Sequence, residues 1–405
     1  MGFVQFISKR LVKGKNTGSA KRVINIATVS VALSIAVMLI SVSVLSGFKS
    51  AVKEKIVGFG SHIQIVPYSI NNTFDDNPIY IDNATQNTIS KNKNIKSITP
   101  VINKSSVIIC DDAFHAVILK GITQSYDTTF FHDALITGAM PRLNKTSHQE
   151  CIVSKNTADK LKLNINDKIK IYFYIDNGYR AKNFYVSGIY DTGLGAYDDR
   201  FLICDAAVLQ NIFSMEATDY SAYEVSLNDF SKLDATADEV YQLLPNNMTL
   251  QTITDIEPNL FSWLNLLDSN VIMIIGIMIL LTVVTLCGVV LIMIFEKKQM
   301  IGILKAIGTP NDQITQIFLH KAGYIALKGL FYGNILALAL ELIQKYTHLI
   351  TLDAQSYYLT SVPISINALH IIGVDILAFA VCLLCMLIPA KTISKISVTK
   401  NLRFE

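Results

Sequence analysis

Hydropathy divides the chain into four long apolar runs and the polar stretches between them. Val23–Leu45 carries no charge and covers about 34 Å as a helix at 1.5 Å per residue, enough to cross the hydrocarbon core of a bilayer. It reads as an uncleaved span, because it is longer than a signal-peptide core and no A-x-A cleavage pattern follows it. Val271–Phe295, Tyr324–Ile343 and Ile366–Ile388 predict three further spans. Before the first lies an amphipathic segment with Phe3, Phe6, Ile7 and Leu11 among basic residues. The predicted order is a cytoplasmic segment (1–22), a span (23–46), a soluble domain (47–265), a span (266–298), a connecting helix and loop (299–320), a span (321–344), an external loop (345–365), a span (366–388) and a tail (389–405).

Within 47–265 the patterns are mixed. Ser61–Val66, Ser106–Ile109, Ala116–Leu119, Ile169–Ile175, Asn183–Val186 and Phe201–Ile203 are rich in Ile, Val, Tyr and Phe and predict strands. Thr85–Lys91, Thr157–Leu161, Ala206–Phe213 and Leu233–Leu244 predict helices, so the whole is an α+β domain. Asp176-Asn177-Gly178 marks the tip of a hairpin over Tyr172–Val186.

The stretch between the second and third spans, Glu296–Phe318, is built differently. Met300, Ile303, Leu304 and Ile307 fall on one stripe of a short helix that also carries Lys305. Gly308 follows where a helix takes a left-handed stop, and Thr309-Pro310 predicts a cap with proline at the first helical position. An apolar stripe held between two spans is a docking knob for a cytoplasmic partner; the same pattern fits an amphipathic turn on the lipid surface. In the third span, Gly329, Gly333 and Ala337 draw a small-residue stripe for close helix packing, as do Ser30/Ser34 and Ala32/Ala36 in the first.

Charge orients these elements. Residues 47–265 hold 19 Lys and Arg against 25 Asp and Glu, a net of −6, whereas the remainder nets +9. A basic remainder beside an acidic middle argues for membrane topology and against nucleic-acid binding, and it places both termini and the 296–320 loop in the cytoplasm. No G-x-x-x-x-G-K-[ST] loop, metal-ligand spacing or G-x-S-x-G elbow is present, so nothing argues for catalysis or for a metal or cofactor on this chain. Cys110, Cys151 and Cys204 read as buried thiols, and Cys382-x-x-Cys385 as apolar filler. Glu341 and Lys345 are spaced as a helix pair, and Asp375, inside the fourth span, calls for a partner such as Lys345.

The wording of Glu296–Gly308, EKKQMIGILKAIG, resembles the coupling helix of the FtsX-like permease family, the ABC transporter subunits of the MacB and LolC/LolE type. Ser46-Gly47-Phe48 with His62, Ile63 and Ile65 is similar to the exit from the first span in LolC/LolE-type proteins, and ALITGAMP…ECIVSKNTADKLKLNINDKIKI is similar to the MacB-like periplasmic core, with Ser154 where that family has glycine. The closing NLRFE fits the family's end. The resemblance implies a non-catalytic permease subunit in a bacterial inner membrane. Its implied partners are a LolD-like ATPase holding ATP and magnesium, a second permease protomer, lipoprotein cargo, a LolA-like periplasmic carrier and membrane lipid. Asp176–Gly178 would tip a carrier-binding hook or an ordinary meander hairpin, and span one would line a cavity for acyl chains. Within the same family, a MacB-like mechanotransmission exporter and an FtsX-like regulator of cell-wall hydrolases are the alternatives.

Overall fold

The computed structural model describes residues 18–68, 78–110, 113–143, 149–175 and 178–390. The amphipathic segment before Gly18, the tail from residue 391, and Asp176 and Asn177 of the hairpin tip lie outside the described residues. The chain forms two units, one helical (Met1–Lys49, Trp263–Thr351, Ser361–Glu405) and one built on a sheet (Ser50–Ser262, Leu352–Thr360).

The sheet unit contains α2 (Asn83–Ile89), α3 (Thr129–Asp133), α4 (Lys155–Leu161), α5 (Gly195–Asp198), α6 (Ala206–Phe213), α7 (Leu233–Tyr241) and α8 (Ile253–Ile256), together with the last turns of α1 (Gly18–Gly60). Its strands are β1 (Ile63–Pro67), β2 (Ile95–Cys110), β3 (Ala113–Ile122), β4 (Leu135–Gly138), β5 (Glu150–Ser154), β6 (Lys168–Ile175), β7 (Gly178–Tyr190), β8 (Phe201–Asp205), β9 (Ala222–Leu227) and β10 (Met248–Thr252). They form one mixed sheet, ordered β10-β1-β9-β2-β3-β8-β5-β7-β4, with β6 bridging β2 and β7. Parallel pairing occurs at β3–β8 and β5–β7. Helix α6 covers one apolar face, where Leu209 and Ile212 join Ile171, Phe173, Phe184 and Leu202 in the core.

Ser154 leaves β5 with φ −72° and ψ 156°, ordinary extended backbone, and its hydroxyl caps α4 by accepting from the Thr157 N–H at 3.2 Å. The family's glycine is therefore replaced by an N-cap, and the turn needs no left-handed residue. The hairpin is longer than expected: β6 and β7 pair from Lys168↔Tyr185 out to Ile175↔Gly178, beyond the predicted Tyr172–Val186. Strand β2 flanks it only as far as Tyr172, leaving a short free end where Tyr174 and Tyr179 meet edge-on at 5.4 Å.

Two shifted groups in the sheet unit have opposite effects on stability. His62 Nδ1 accepts from the Leu227 N–H at 3.1 Å, and burial, reinforced by Lys96, lowers the imidazole to about 4. Asp198 accepts from the Thr192 hydroxyl at 2.7 Å, and burial raises its carboxyl to about 6. The unfolded chain binds more protons at His62 between the ordinary value of 6.5 and about 4, so stability is lost as pH falls through that window. The folded chain binds more at Asp198 between 3.8 and about 6, so that contribution is lost as pH rises. The two oppose one another below pH 6. Asp198→Asn is therefore expected to lose thermal stability more steeply than the parent on acidification from pH 6.5 to 4, and His62→Gln less steeply, in unfolding scans across that range.

The helical unit comprises α1 to Lys49, α9 (Pro258–Glu296) from Trp263, α10 (Lys298–Ala306), α11 (Asn311–Thr347) and α13 (Ala368–Ala390); the short α12 (Ala354–Tyr357) belongs to the sheet unit. Among the described residues, four helices are long and apolar enough to cross a membrane: Arg22–Gly60, Pro258–Glu296, Asn311–Thr347 and Ala368–Pro389. The first helix runs on past residue 46 and the second begins before 266, so both helices extend beyond their apolar runs. Lys49, Lys53, Glu54 and Lys55 interrupt the apolar run without interrupting the helix, since charged straight-chain residues are good helix formers. Phe48 stays inside, edge-on to Trp263 at 5.6 Å, and Lys49 pairs with Asp268 at 2.7 Å.

Two predicted charge pairs are replaced. Asp375 accepts from the Asn334 amide at 3.0 and 3.1 Å, not from Lys345, which lies eleven residues along α11 from Asn334, about 16 Å at the helical rise. Glu341 turns inward, 2% exposed, while Lys345 faces out, so the i,i+4 pair does not form. Lys328 lies over the Tyr324 ring at 4.8 Å.

Candidate functional site

The candidate functional site is the corner between α9 and α11, formed by α10 and the turn after it. Helix α10 is stopped by a two-bond C-terminal motif: Thr309 N–H donates to the Leu304 carbonyl and Gly308 N–H to that of Lys305, both at 3.0 Å. Gly308 supplies the left-handed residue, with φ +91°, as its position after the stripe predicts. The cap of the next helix sits one residue later than expected. Pro310 is itself the N-cap, with extended backbone and no side-chain bond, because its fixed φ suits the extended approach and Asn311 takes the first helical position.

The predicted stripe is split between two faces. Ile301 is fully buried in the helical core with Ile314 and Phe318, and Met300 and Leu304 pack against that core. Ile303 and Ile307 point away, 51% and 75% exposed, alongside exposed Ala306. Lys305 is half-buried, and burial draws its ammonium below the usual lysine value. Half of the predicted set therefore anchors the helix and half remains free to contact a partner. Sequence reasoning missed Ile301, whose burial is what roots α10. It lies off the i, i+3, i+4 stripe, and the only signal for it was that Ile301 and Ile303 cannot both face one way.

The small-residue stripe lies on the buried face of α11. Gly329, Gly333 and Ala337 are all buried on α11. A Cβ on Gly329 would stand 2.5 Å from Val31 Cγ1, and one on Gly333 would stand 2.8 Å from the Ala32 carbonyl. Both positions press directly on α1, so any larger side chain must displace that helix. On α1, Ala32, Ser34 and Ala36 face inward, with Ser34 1% exposed. These small residues pack against neighbouring helices, and the exposed apolar side chains of α1 include Ile26, Val29 and Leu33.

Of the hairpin tip only Gly178 is described, paired with Ile175.

Similarity to known proteins spans both units. A family model described as MacB-like periplasmic core domain matches residues 26–243, and one described as FtsX-like permease C-terminal matches residues 272–398. The lipoprotein-releasing system transmembrane protein LolC of Haemophilus influenzae is 23% identical over 422 residues, covering 99% of this chain and 98% of that protein. The protein of the same description from Xylella fastidiosa is 19% identical over 420 residues, covering 100% and 95%. The crystal structure of the periplasmic region of MacB from Actinobacillus actinomycetemcomitans aligns with 52% of this chain and 97% of its own, at 16% identity and a TM-score of 0.34. A MacB-like periplasmic core model matching more than half of the chain, followed by an FtsX-like permease C-terminal model, shows that the chain belongs to the FtsX-like permease family with a MacB-like periplasmic core domain.

Proposed function

We propose that this chain is the permease subunit of an ABC transporter that extracts lipoproteins from a bacterial inner membrane and passes them toward a periplasmic carrier. The observation that carries the reading is the match to LolC proteins over 99–100% of this chain and 95–98% of theirs. In this reading a second permease protomer and two LolD-like ATPase subunits complete the assembly, a LolA-like carrier receives the cargo, and ATP and magnesium reside on the ATPases. The exposed Ile303/Ile307 face of α10 supports it, because an apolar face beside a sharply terminated helix is what an ATPase groove would hold. Closure of the ATPases would press on that face. Because Ile301, Met300 and Leu304 root α10 in the helical core, the displacement would pass into the packed spans instead of being absorbed by a loose loop.

Reconstitution tests the proposal. The chain, its ATPase and a triacylated lipoprotein in proteoliposomes are expected to release the lipoprotein to a soluble carrier only when ATP is hydrolysed. Vigorous hydrolysis with the lipoprotein retained in the bilayer would overturn it.

A further inference from the structure

Cys151 on β5 and Cys204 on β8 are partners in register. The β5–β8 ladder consists of Cys151↔Cys204 and Ile152↔Ile203, making it the shortest antiparallel ladder along the main path of the sheet. Directly opposed residues in an antiparallel pair project from the same face, and both cysteines are fully buried in the one apolar core beneath α6. Opposed Cα atoms in such ladders stand about 4.5 or 5.5 Å apart according to the type of pair, and both spacings fall inside the roughly 4.4–6.8 Å that a disulfide spans. Both are free thiols in this structure, and the register gives their backbones a spacing that a disulfide can span. Fifty-two residues of sequence lie between the two, without a motif, so the register is what brings them together.

We propose that Cys151 and Cys204 close a cross-strand disulfide that staples the sheet at its shortest seam. The inference rests on the reading that this unit lies outside the cytoplasm, where disulfides persist. Chemically, the two thiols give up two protons and two electrons to the disulfide of an exchange partner, protein or small molecule, which leaves as two thiols. Burial pushes the Cys151 thiol up to about 12 and that of Cys204 higher than usual, so thiolate is scarce once the unit has folded. Exchange accordingly belongs to folding, before β5 and β8 are sealed, and the finished bond is shielded from reductants.

The test uses the full chain isolated from membranes, alkylated with a maleimide in denaturant and digested. The expected product is a linked pair of peptides carrying Cys151 and Cys204, two hydrogens lighter than their sum, while Cys110, Cys287, Cys382 and Cys385 carry the label. Reduction in mild urea followed by its removal should lower the midpoint of thermal unfolding by on the order of 10 °C, a shift absent from Cys204→Ala. In parallel, Lys182→Cys, at an exposed position of β7, reports through a membrane-impermeant maleimide on which side the unit lies. Oxidised glutathione added to the chain in urea supplies an exchange partner directly. If the reporter is labelled from outside and both cysteines still carry maleimide, even after glutathione, the proposal is overturned. If the reporter is protected, the topological reading fails by itself and the glutathione arm decides: linkage supports the staple and persistent thiols refute it.

Discussion

Lys120→Met should destabilise the sheet unit by about 3–5 kcal/mol, which for a unit of this size is a fall of about 10 °C or more in thermal midpoint. Lys120 is 2% exposed and its ammonium has three partners: Glu224 Oε1 at 2.7 Å, the Phe59 carbonyl at 2.6 Å and the Tyr126 hydroxyl at 3.0 Å. Glu224 is 4% exposed, so removing the lysine leaves a buried carboxylate without its counter-charge. It also strips the carbonyl of the last turn of α1, where a cation complements the helix dipole. That turn is the hub of an aromatic cluster, with Phe59 packed on Phe131 at 5.3 Å, Tyr197 at 5.0 Å and Phe201 at 5.1 Å. Burial, followed by Glu224, also holds the Tyr126 phenol well above its ordinary pKa, so that group stays a neutral partner. The double replacement Lys120→Met with Glu224→Leu should recover much of the loss, because the cost lies in stranding one charge more than in losing the pair. Unfolding scans of the solubilised chain decide this. A single Lys120→Met as stable as the parent would show that Glu224 finds another partner or simply protonates.

That network marks where sequence reading stops. The four spans are legible because a charge-free run of more than twenty residues has few other solutions. Six strands and four helices of the sheet unit also follow from β-branched runs and caps, and α6 begins and ends where the pattern says. The first part of β2 escapes because Pro100 sits within it, and proline argues against a strand even though Pro100 pairs with Tyr223. Strand β9, AYEVSL, escapes because Glu224 reads as a solvent residue; its ion pair with Lys120, a hundred residues upstream, makes its burial tolerable. Asp375 is a similar case. Its charge was visible, but its partner is the neutral amide of Asn334 on another helix, which no charge pattern discloses. At α10 the helical period says which residues share a side, but the surrounding helices choose which side turns inward, and they choose Ile301.

That choice sharpens the mutational test of the proposed coupling. Ile303→Asp and Ile307→Asp should leave the permease folded and abolish its association with the ATPase. Each loses an exposed isoleucine worth roughly 1.5–3 kcal/mol on full burial and places a carboxylate at the centre of the contact, weakening binding by on the order of 10²-fold or more. Leu304→Asp and Ile301→Asp are expected to behave differently. These side chains face the helical core, so a charge there should reduce the yield of folded chain before any question of docking arises. The comparison separates anchoring from contact. Monodisperse permease that fails to co-purify with the ATPase identifies the outer face, Ile303 with Ile307, as the contact, whereas undiminished co-purification of Ile307→Asp would refute it. Replacing Gly308 with valine probes the remaining element. A β-branched residue at φ +91° is strained whatever room surrounds it, so the corner should loosen while the contact surface stays intact. The ATPase should then still bind, but hydrolysis should no longer drive release, because a lever attached through a slack corner moves without moving the spans.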